Sequence, residues 1–259
     1  MNQTSTSSPD VIDELWAVVP AAGQGTRLPS AYPKQYLELK GRCLLQRAID
    51  TLSQVANVKG VVVVLSKGDN LWPELAASKY RQVVTTIGGA SRAESVVAGV
   101  KMVCEKSVSD NAMVMVHDAA RAMTSVDDIL RLINRVNEAP EQGGLLATKV
   151  QDTLKRSSSS IDANGQLQHK IDATVSRDEL WQAQTPQMFR AKVLLDCLIE
   201  NQQAIQAGTI TDEACAMERL GFTPALVEAL QPNFKITHAR DFDMALALIE
   251  LRESAGAEQ

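Results

Sequence analysis

Short, nearly continuous apolar runs alternate along this chain with stretches whose apolar residues recur at helical spacing. Residues 15–19, 59–65, 82–87, 112–116 and 144–150 are the runs, each of strand length and largely apolar on both faces, as in the middle of a parallel sheet. Between them, 43–55, 92–103 and 126–136 carry the helical pattern. This alternation predicts right-handed crossovers and an α/β fold with a doubly wound, mostly parallel, Rossmann-like sheet. Ligands then sit beyond the carboxyl ends of the strands, so the loops that follow strands are where chemistry is sought.

After residue 150 the pattern changes. Asp152-Thr153-Leu154-Lys155-Arg156, four consecutive serines, the Asn164-Gly165 turn signal and a polar stretch to Arg177 predict a protruding β-arm over about 150–177. A lone hairpin with so little apolar surface is marginal, so the arm is expected to pack on a second copy of the chain and make a homodimer. Residues 181–187 read as turn-rich, and a helix is predicted from about Lys192 to near Gly208. The next helix has Thr211 as its N-cap, with Asp212 and Glu213 in its first turn. Residues 224–229 and 233–237 read as strands, the second at an edge, and 241–251 as a closing amphipathic helix. Lys235 falls on the opposite face from Phe234 and Ile236, commonly a solvent-facing position.

The 259 residues, 45% hydrophobic, suffice for one substantial core. Residues 1–13, rich in Ser and Thr, read as a disordered leader and 14–259 as a single domain. A formal charge of −5 argues against broad nucleic-acid or membrane binding and confines positive charge to a site for a small anion. No apolar stretch has membrane-spanning length. Cys43, Cys104, Cys197 and Cys215 lie far apart, without zinc or redox spacing, and are expected to be reduced thiols in a cytoplasmic protein.

The chemistry concentrates after the strands. The first runs into Pro20-Ala21-Ala22-Gly23-Gln24-Gly25-Thr26-Arg27, where glycines allow a tight turn whose amides can face an anion, and Arg27 and Lys34 add full positive charges. The third glycine of a dinucleotide fingerprint and the Gly-Lys-Ser/Thr of a Walker loop are both missing. The third strand leads to Gly88-Gly89-Ala90-Ser91-Arg92, which is either a helix start capped by Ser91 or an anion site at the helix N-terminus. The fourth ends in His117-Asp118-Ala119-Ala120-Arg121. There Asp118 either caps a helix or ligates Mg²⁺ beside a triphosphate, and His117 can be a satisfied core imidazole.

Taken in order, Pro20-Ala-Ala-Gly-x-Gly-x-Arg27, Pro33-Lys-Gln-Tyr36, Gly88-Gly-x-x-Arg92 with Ser95, His117-Asp-Ala-Ala-Arg121, Asp152-Thr-x-Lys155, Thr185-Pro-Gln187, Thr211-Asp-Glu-Ala214 and Lys235-x-Thr237 resemble the 2-C-methyl-D-erythritol 4-phosphate cytidylyltransferases of the non-mevalonate isoprenoid pathway. The resemblance spans about 15–251. It implies a nucleotidyltransferase domain that transfers CMP from CTP to methylerythritol phosphate, releasing pyrophosphate, with Mg²⁺ or another divalent cation. It implies catalytic roles for Arg27, Lys34 and Lys235, the first two on the triphosphate and the third beside the α-phosphate. Nucleotide contacts fall on Ala21, Ala22, Gly23, Gly25, Gly88, Gly89 and Ser95, and the metal on Asp118. Substrate contacts fall on Asp118, Arg121, Thr153, Arg177 and Thr185, some of them supplied by the partner's arm. Ala90, Ala122-Met123 and Ala239-Arg240 depart from the family pattern but leave its charged groups in place. The alternatives are a ribitol 5-phosphate cytidylyltransferase, which would differ on the acceptor side, and a non-catalytic nucleotide-binding module, which would not need Arg27, Lys34 and Lys235 together.

Overall fold

A computed structural model describes residues 12–23, 32–162 and 164–257. The leader expected over 1–13 lies almost wholly outside them, as do Gly25 and Arg27. The elements are, in order, β1 (Leu15–Pro20), β2 (Glu38–Leu39), β3 (Arg42–Cys43), α1 (Leu44–Ser53), β4 (Val58–Leu65), β5 (Val83–Ile87), α2 (Arg92–Lys106), β6 (Met113–Val116), α3 (Val126–Asn137) and β7 (Gly144–Lys149). They continue with β8 (Leu154–Ile161), β9 (Leu167–Val175), β10 (Trp181–Arg190), α4 (Ala191–Glu200), α5 (Gln202–Gln206), α6 (Glu213–Glu218), β11 (Ala225–Glu228) and α7 (Ala239–Ala257).

Seven strands form the central sheet in the order β11-β7-β10-β6-β1-β4-β5. All pairings are parallel except those of β10, which runs antiparallel to both β6 and β7. Val18 and Val19 of β1, the four valines at 61–64 of β4, and Val114 and Val116 of β6 are fully buried because apolar layers cover both faces. On one side α1 and α3 pack through Leu45, Ile49, Leu52, Ile129 and Leu132. On the other, α2 and α4 pack through Val96, Val100, Val103, Leu194 and Leu198, with Met217 of α6. Gly99 lets α2 approach β1 closely, since a Cβ there would collide with Val18. A third apolar cluster joins α7, through Ala245 and Ile249, to Leu39, Met123 and Ile236.

The pattern misled in four places. Residues 181–187 are not turn-rich loop but most of β10, and their turn signals mark the register shift between Ala183 and Gln187 that bulges the strand around Pro186. The helix expected to reach Gly208 breaks at Asn201, whose side chain donates to the Cys197 carbonyl at 2.9 Å and accepts from Arg219 at 2.9 Å. Asp212, not Thr211, caps α6, accepting from the Cys215 amide at 3.0 Å. Residues 233–237 form no strand. Ile236 is drawn into the α7 cluster instead, and its amide donates to the Ala120 carbonyl at 2.9 Å, so one anchor replaces a ladder.

The expected hairpin is present as β8 and β9, paired antiparallel and apart from the main sheet. Ile161, Leu167 and Ile171 are exposed on it. All four cysteines are free; Cys43 and Cys197 are buried.

Just before β1, buried Glu14 accepts from Lys59 Nζ at 2.7 Å, Trp16 Nε1 at 2.8 Å and Ser107 Oγ at 2.8 Å, tying β1, β4 and the end of α2 together. Burial works to raise its pKa, but these donors win and bring it to about 2.

Candidate active site

The turn after β1 is held from two sides: the Ala21 amide donates to the Val64 carbonyl at 2.8 Å, and Gln35 Nε2 donates to the Ala21 carbonyl at 2.6 Å. Beside it, a Cβ on Gly88 would meet Ser95 Oγ and the Ala22 methyl, so glycine is what allows the loops after β1 and β5 to touch. Together with the loop after β6 they enclose a cleft of about 230 Å³. Ala21, Ala22, Gly23, Lys34, Gly89, Ser95, Asp118 and Lys235 all line it. Eight of the expected residues, scattered over more than two hundred positions, therefore share one cavity.

Charge in the cleft is organised by Arg92. Its Nε donates to Asp118 Oδ1 at 2.8 Å, while Nη1 and Nη2 fork onto Glu213 Oε1 and Oε2 at 2.7 and 3.2 Å. Lys235 Nζ completes the group at 2.7 Å from Asp118 Oδ2. Asp118 is 7% and Glu213 1% exposed. Burial alone would push the Asp118 carboxyl up, but Arg92 and Lys235 hold it far below the usual carboxylate range. Arg92, against its own burial, is held above the ordinary arginine range by Glu213 and Asp118. Two cations and two anions cancel here, and Lys34 and the Ala21-Ala22-Gly23 turn line the same cleft.

Lys235 does not face open solvent as its alternation suggested. Phe234 and Ile236 pack toward α7, which leaves the lysine on the cleft side. Asn233 fixes the approach: its amide donates to the Thr185 carbonyl at 3.0 Å, its Oδ1 accepts from Thr124 Oγ1 at 2.6 Å, and its carbonyl accepts from Arg121 Nη1 at 2.6 Å.

Thr185 sits behind Asp118, accepting from the Asp118 amide at 3.0 Å and pairing with His117 Nδ1 at 3.2 Å. The other imidazole nitrogen lies 3.5 Å from Thr124 Oγ1. Burial pulls His117 down to about 4 from an ordinary 6.5, so it is neutral in the fold and braces the loop. The unfolded chain takes up this proton first. Stability is therefore full above pH 6.5 and falls as pH drops to 4, by on the order of 3 kcal/mol at about 1.4 kcal/mol per unit. Urea unfolding across that window should show the decline, and His117→Asn should flatten it; a flat profile for the unchanged chain would mean the imidazole is already charged when folded.

The helix start after Gly88-Gly89 is capped. Ser91 Oγ accepts from the Glu94 amide at 3.1 Å, and Glu94 accepts in return from the Ala90 and Ser91 amides at 2.6 and 3.2 Å. Those two amides are thus committed within the protein. Arg121 does not line the cleft and spends its Nη donors on the carbonyls of Asn233 and Ala183. Thr153 and Arg177 are exposed at the base of the hairpin, outside the cleft.

Sequence reasoning assigned no role to Glu213, Gln35 or Asn233. Glu213 was fully explained by capping, and Gln35 and Asn233 carry no charge; only their tertiary partners reveal them.

The model of the IspD family, 2-C-methyl-D-erythritol 4-phosphate cytidylyltransferase, matches residues 15–251. A protein of that name from Vibrio atlanticus (strain LGP32) is 44% identical over 235 residues, 90% of this chain and 94% of the relative. One from Chromobacterium violaceum is 43% identical over 237 residues, 92% of this chain and 98% of the relative. A crystal structure of 4-diphosphocytidyl-2C-methyl-D-erythritol synthase superposes with a TM-score of 0.74 at 35% identity, covering 91% of this chain and 98% of its own. The Francisella tularensis 2-C-methyl-D-erythritol 4-phosphate cytidylyltransferase gives 0.73 at 27% identity, with 90% and 98% covered. With its strand-end loops gathered around one cation-lined cleft, this chain belongs to the 2-C-methyl-D-erythritol 4-phosphate cytidylyltransferase family.

Proposed function

We propose that the chain transfers CMP from CTP to the phosphate of 2-C-methyl-D-erythritol 4-phosphate, giving the diphosphate-linked cytidyl product and pyrophosphate for isoprenoid biosynthesis. The observation that carries this is the shared cleft: Lys34, Arg92 and Lys235 around Asp118, with the Ala21-Ala22-Gly23 turn beside them. A phosphate oxygen of the acceptor attacks the α-phosphorus, the bond to the β-bridging oxygen breaks, and pyrophosphate leaves. The attacking oxygen is already anionic, so no side-chain nucleophile or base is needed; positioning and neutralisation of crowded negative charge are the protein's task. Lys34 and the turn amides hold the triphosphate, with Arg27, and Lys235 stands beside the α-phosphate, held there by Asp118. Gly88, Gly89 and Ser95 face the cytidine.

A divalent cation fits one place. Among the described residues no three acidic, histidine or cysteine side chains gather, so an all-protein cage is excluded there. Each Asp118 oxygen accepts from a single cationic group, leaving lone pairs for a hard ion that takes its remaining ligands from phosphate and water. Bound there, Mg²⁺ would add charge neutralisation at the phosphate oxygens.

The hairpin carries the partner-dependent part of the reading. Its exposed Ile161, Leu167 and Ile171 need cover, which a second copy supplies, and Thr153 and Arg177 then complete the acceptor phosphate site of the partner. Deleting 153–175 is expected to leave monomers by light scattering, and Arg177→Ala to raise KM for the acceptor about tenfold or more, an ion-paired hydrogen bond being worth about 1.5–3 kcal/mol. A surviving dimer, or unchanged acceptor kinetics, would reject these roles. Among the described residues no helix is long and apolar enough to cross a membrane, and a cytoplasmic location accords with the four free thiols.

Pyrophosphate release from CTP with methylerythritol phosphate, and with ribitol 5-phosphate as the competing acceptor, tests the proposal. Turnover with the ribitol ester alone would overturn the acceptor, and no turnover with either would leave only a nucleotide-binding module.

A further inference from the structure

A second set of cations lies away from the cleft. Between α1, α7 and the segment 122–124 is a cavity of about 280 Å³, lined by Arg42, Arg47 and Arg252 with Asp50 and Glu253 at its edge. It has no lining residue in common with the cleft. Both carboxylates are already engaged: Asp50 accepts from Gln46 Nε2 at 2.7 Å, Tyr80 OH at 2.9 Å and Arg42 at 3.4 Å, and Glu253 accepts from Lys40 at 3.0 Å. Arg47 and Arg252 are left without a carboxylate partner among the described residues. Arg47 Nη2 donates to the Leu39 carbonyl and Arg252 Nη1 to that of Met123, but Arg47 Nε is buried with no acceptor at all. Partial burial lowers the pKa of both guanidiniums and the charge of Arg42 lowers that of Arg47 further, while Glu253 and Asp50 act in the opposite direction on Arg47 and Asp128 on Arg252. A buried N–H of a charged group without an acceptor is destabilising until one is supplied.

A larger cavity adjoins this one. Arg42, Asp50 and Gln54 also line a cavity of about 940 Å³, whose walls include Tyr36, Leu71, Leu75 and Tyr80. The pair therefore offers a trough whose lining mixes Leu71, Leu75, Tyr36 and Tyr80 with the acids Glu38, Asp50 and Glu74 and which ends in guanidiniums; the larger cavity is at the scale of roughly 300–1,000 Å³ typical of small-molecule sites. We propose that it binds a small molecule with a phosphate head and an apolar body, the head on Arg47 and Arg252 and the body along the larger cavity. With the Arg47 side chain turned toward the cavity, a phosphate oxygen gives its Nε the missing acceptor, and the planar fork suits a tetrahedral oxyanion better than a lysine would. The concave shape and the formal charge of −5 disfavour an extended polyanion.

Isothermal titration calorimetry of the full chain with hexyl phosphate tests this, with Lys235→Ala as the control for binding in the cleft. Unchanged protein and Lys235→Ala should bind alike, while Arg252→Gln and Arg47→Gln each weaken binding at least tenfold. Inorganic phosphate and hexanol should each bind at least tenfold more weakly than hexyl phosphate. CTP turnover by Arg252→Gln should stay unchanged, which separates this site from the proposed reaction. Absence of binding, loss with Lys235→Ala, equal binding by inorganic phosphate, or unaltered affinity in the arginine variants would overturn it. Should Arg47→Gln fail to fold, Arg252→Gln decides alone, because that side chain is exposed.

Discussion

Lys235→Ala is expected to lower turnover by about 10²–10³-fold, the usual loss when one preorganised charge is withdrawn from a developing anion. The fold should survive, because the side chain is 36% exposed and its contribution to the cleft is charge, not packing. The loss should fall on kcat more than on KM, since the ammonium stands where the α-phosphate gathers charge and other groups hold the triphosphate. Asp118, deprived of one of its two cations, should titrate higher than in the unchanged protein. Lys235→Arg keeps the charge but not the reach and should recover part of the rate. Steady-state pyrophosphate release, with circular dichroism to confirm folding, makes the measurement; near-normal kcat in Lys235→Ala would remove the lysine from the reaction.

Glu213→Ala should cost about 3 kcal/mol of stability, the low end of the range for breaking a buried ion pair, because Arg92 remains 31% exposed. The penalty arises from what is left behind. Arg92 would keep Asp118 but lose both fork bonds, and it would be free to swing out of the geometry that now fixes the carboxylate. Turnover should therefore fall although Glu213 does not line the cleft. Replacing Arg92 and Glu213 together by methionine separates the two effects: most of the stability should return, since no unpaired charge stays buried, but the rate should not. Recovery of both in the double variant would show that the network serves packing alone.

Much of this was legible in the chain. The apolar runs at 59–65 and 112–116 announced central parallel strands, because nearly continuous apolar sequence belongs where both faces are buried. The loops after β1, β5 and β6 announced the cleft for a topological reason, since parallel strands deliver their carboxyl ends to one edge. The segment 181–187 was not legible. Its Thr-Pro-Gln looks like a turn, and only pairing with β6 and β7 makes it an antiparallel strand that bulges there.

By itself the sequence determined which side chains carry charge, which runs must be buried on both faces, and hence the alternation that lines up Gly23, Gly89 and Asp118 along one edge. Only the tertiary structure decided where the remaining charges point. Lys235 reaches the cleft because Ile236 is claimed by α7, and Glu213 becomes a buried counter-ion because α6 packs against Arg92. Local periodicity records how apolar a position's own neighbourhood must be. It holds no information on which distant carboxylate will meet a given cation, because that choice is made by packing between elements far apart in the chain.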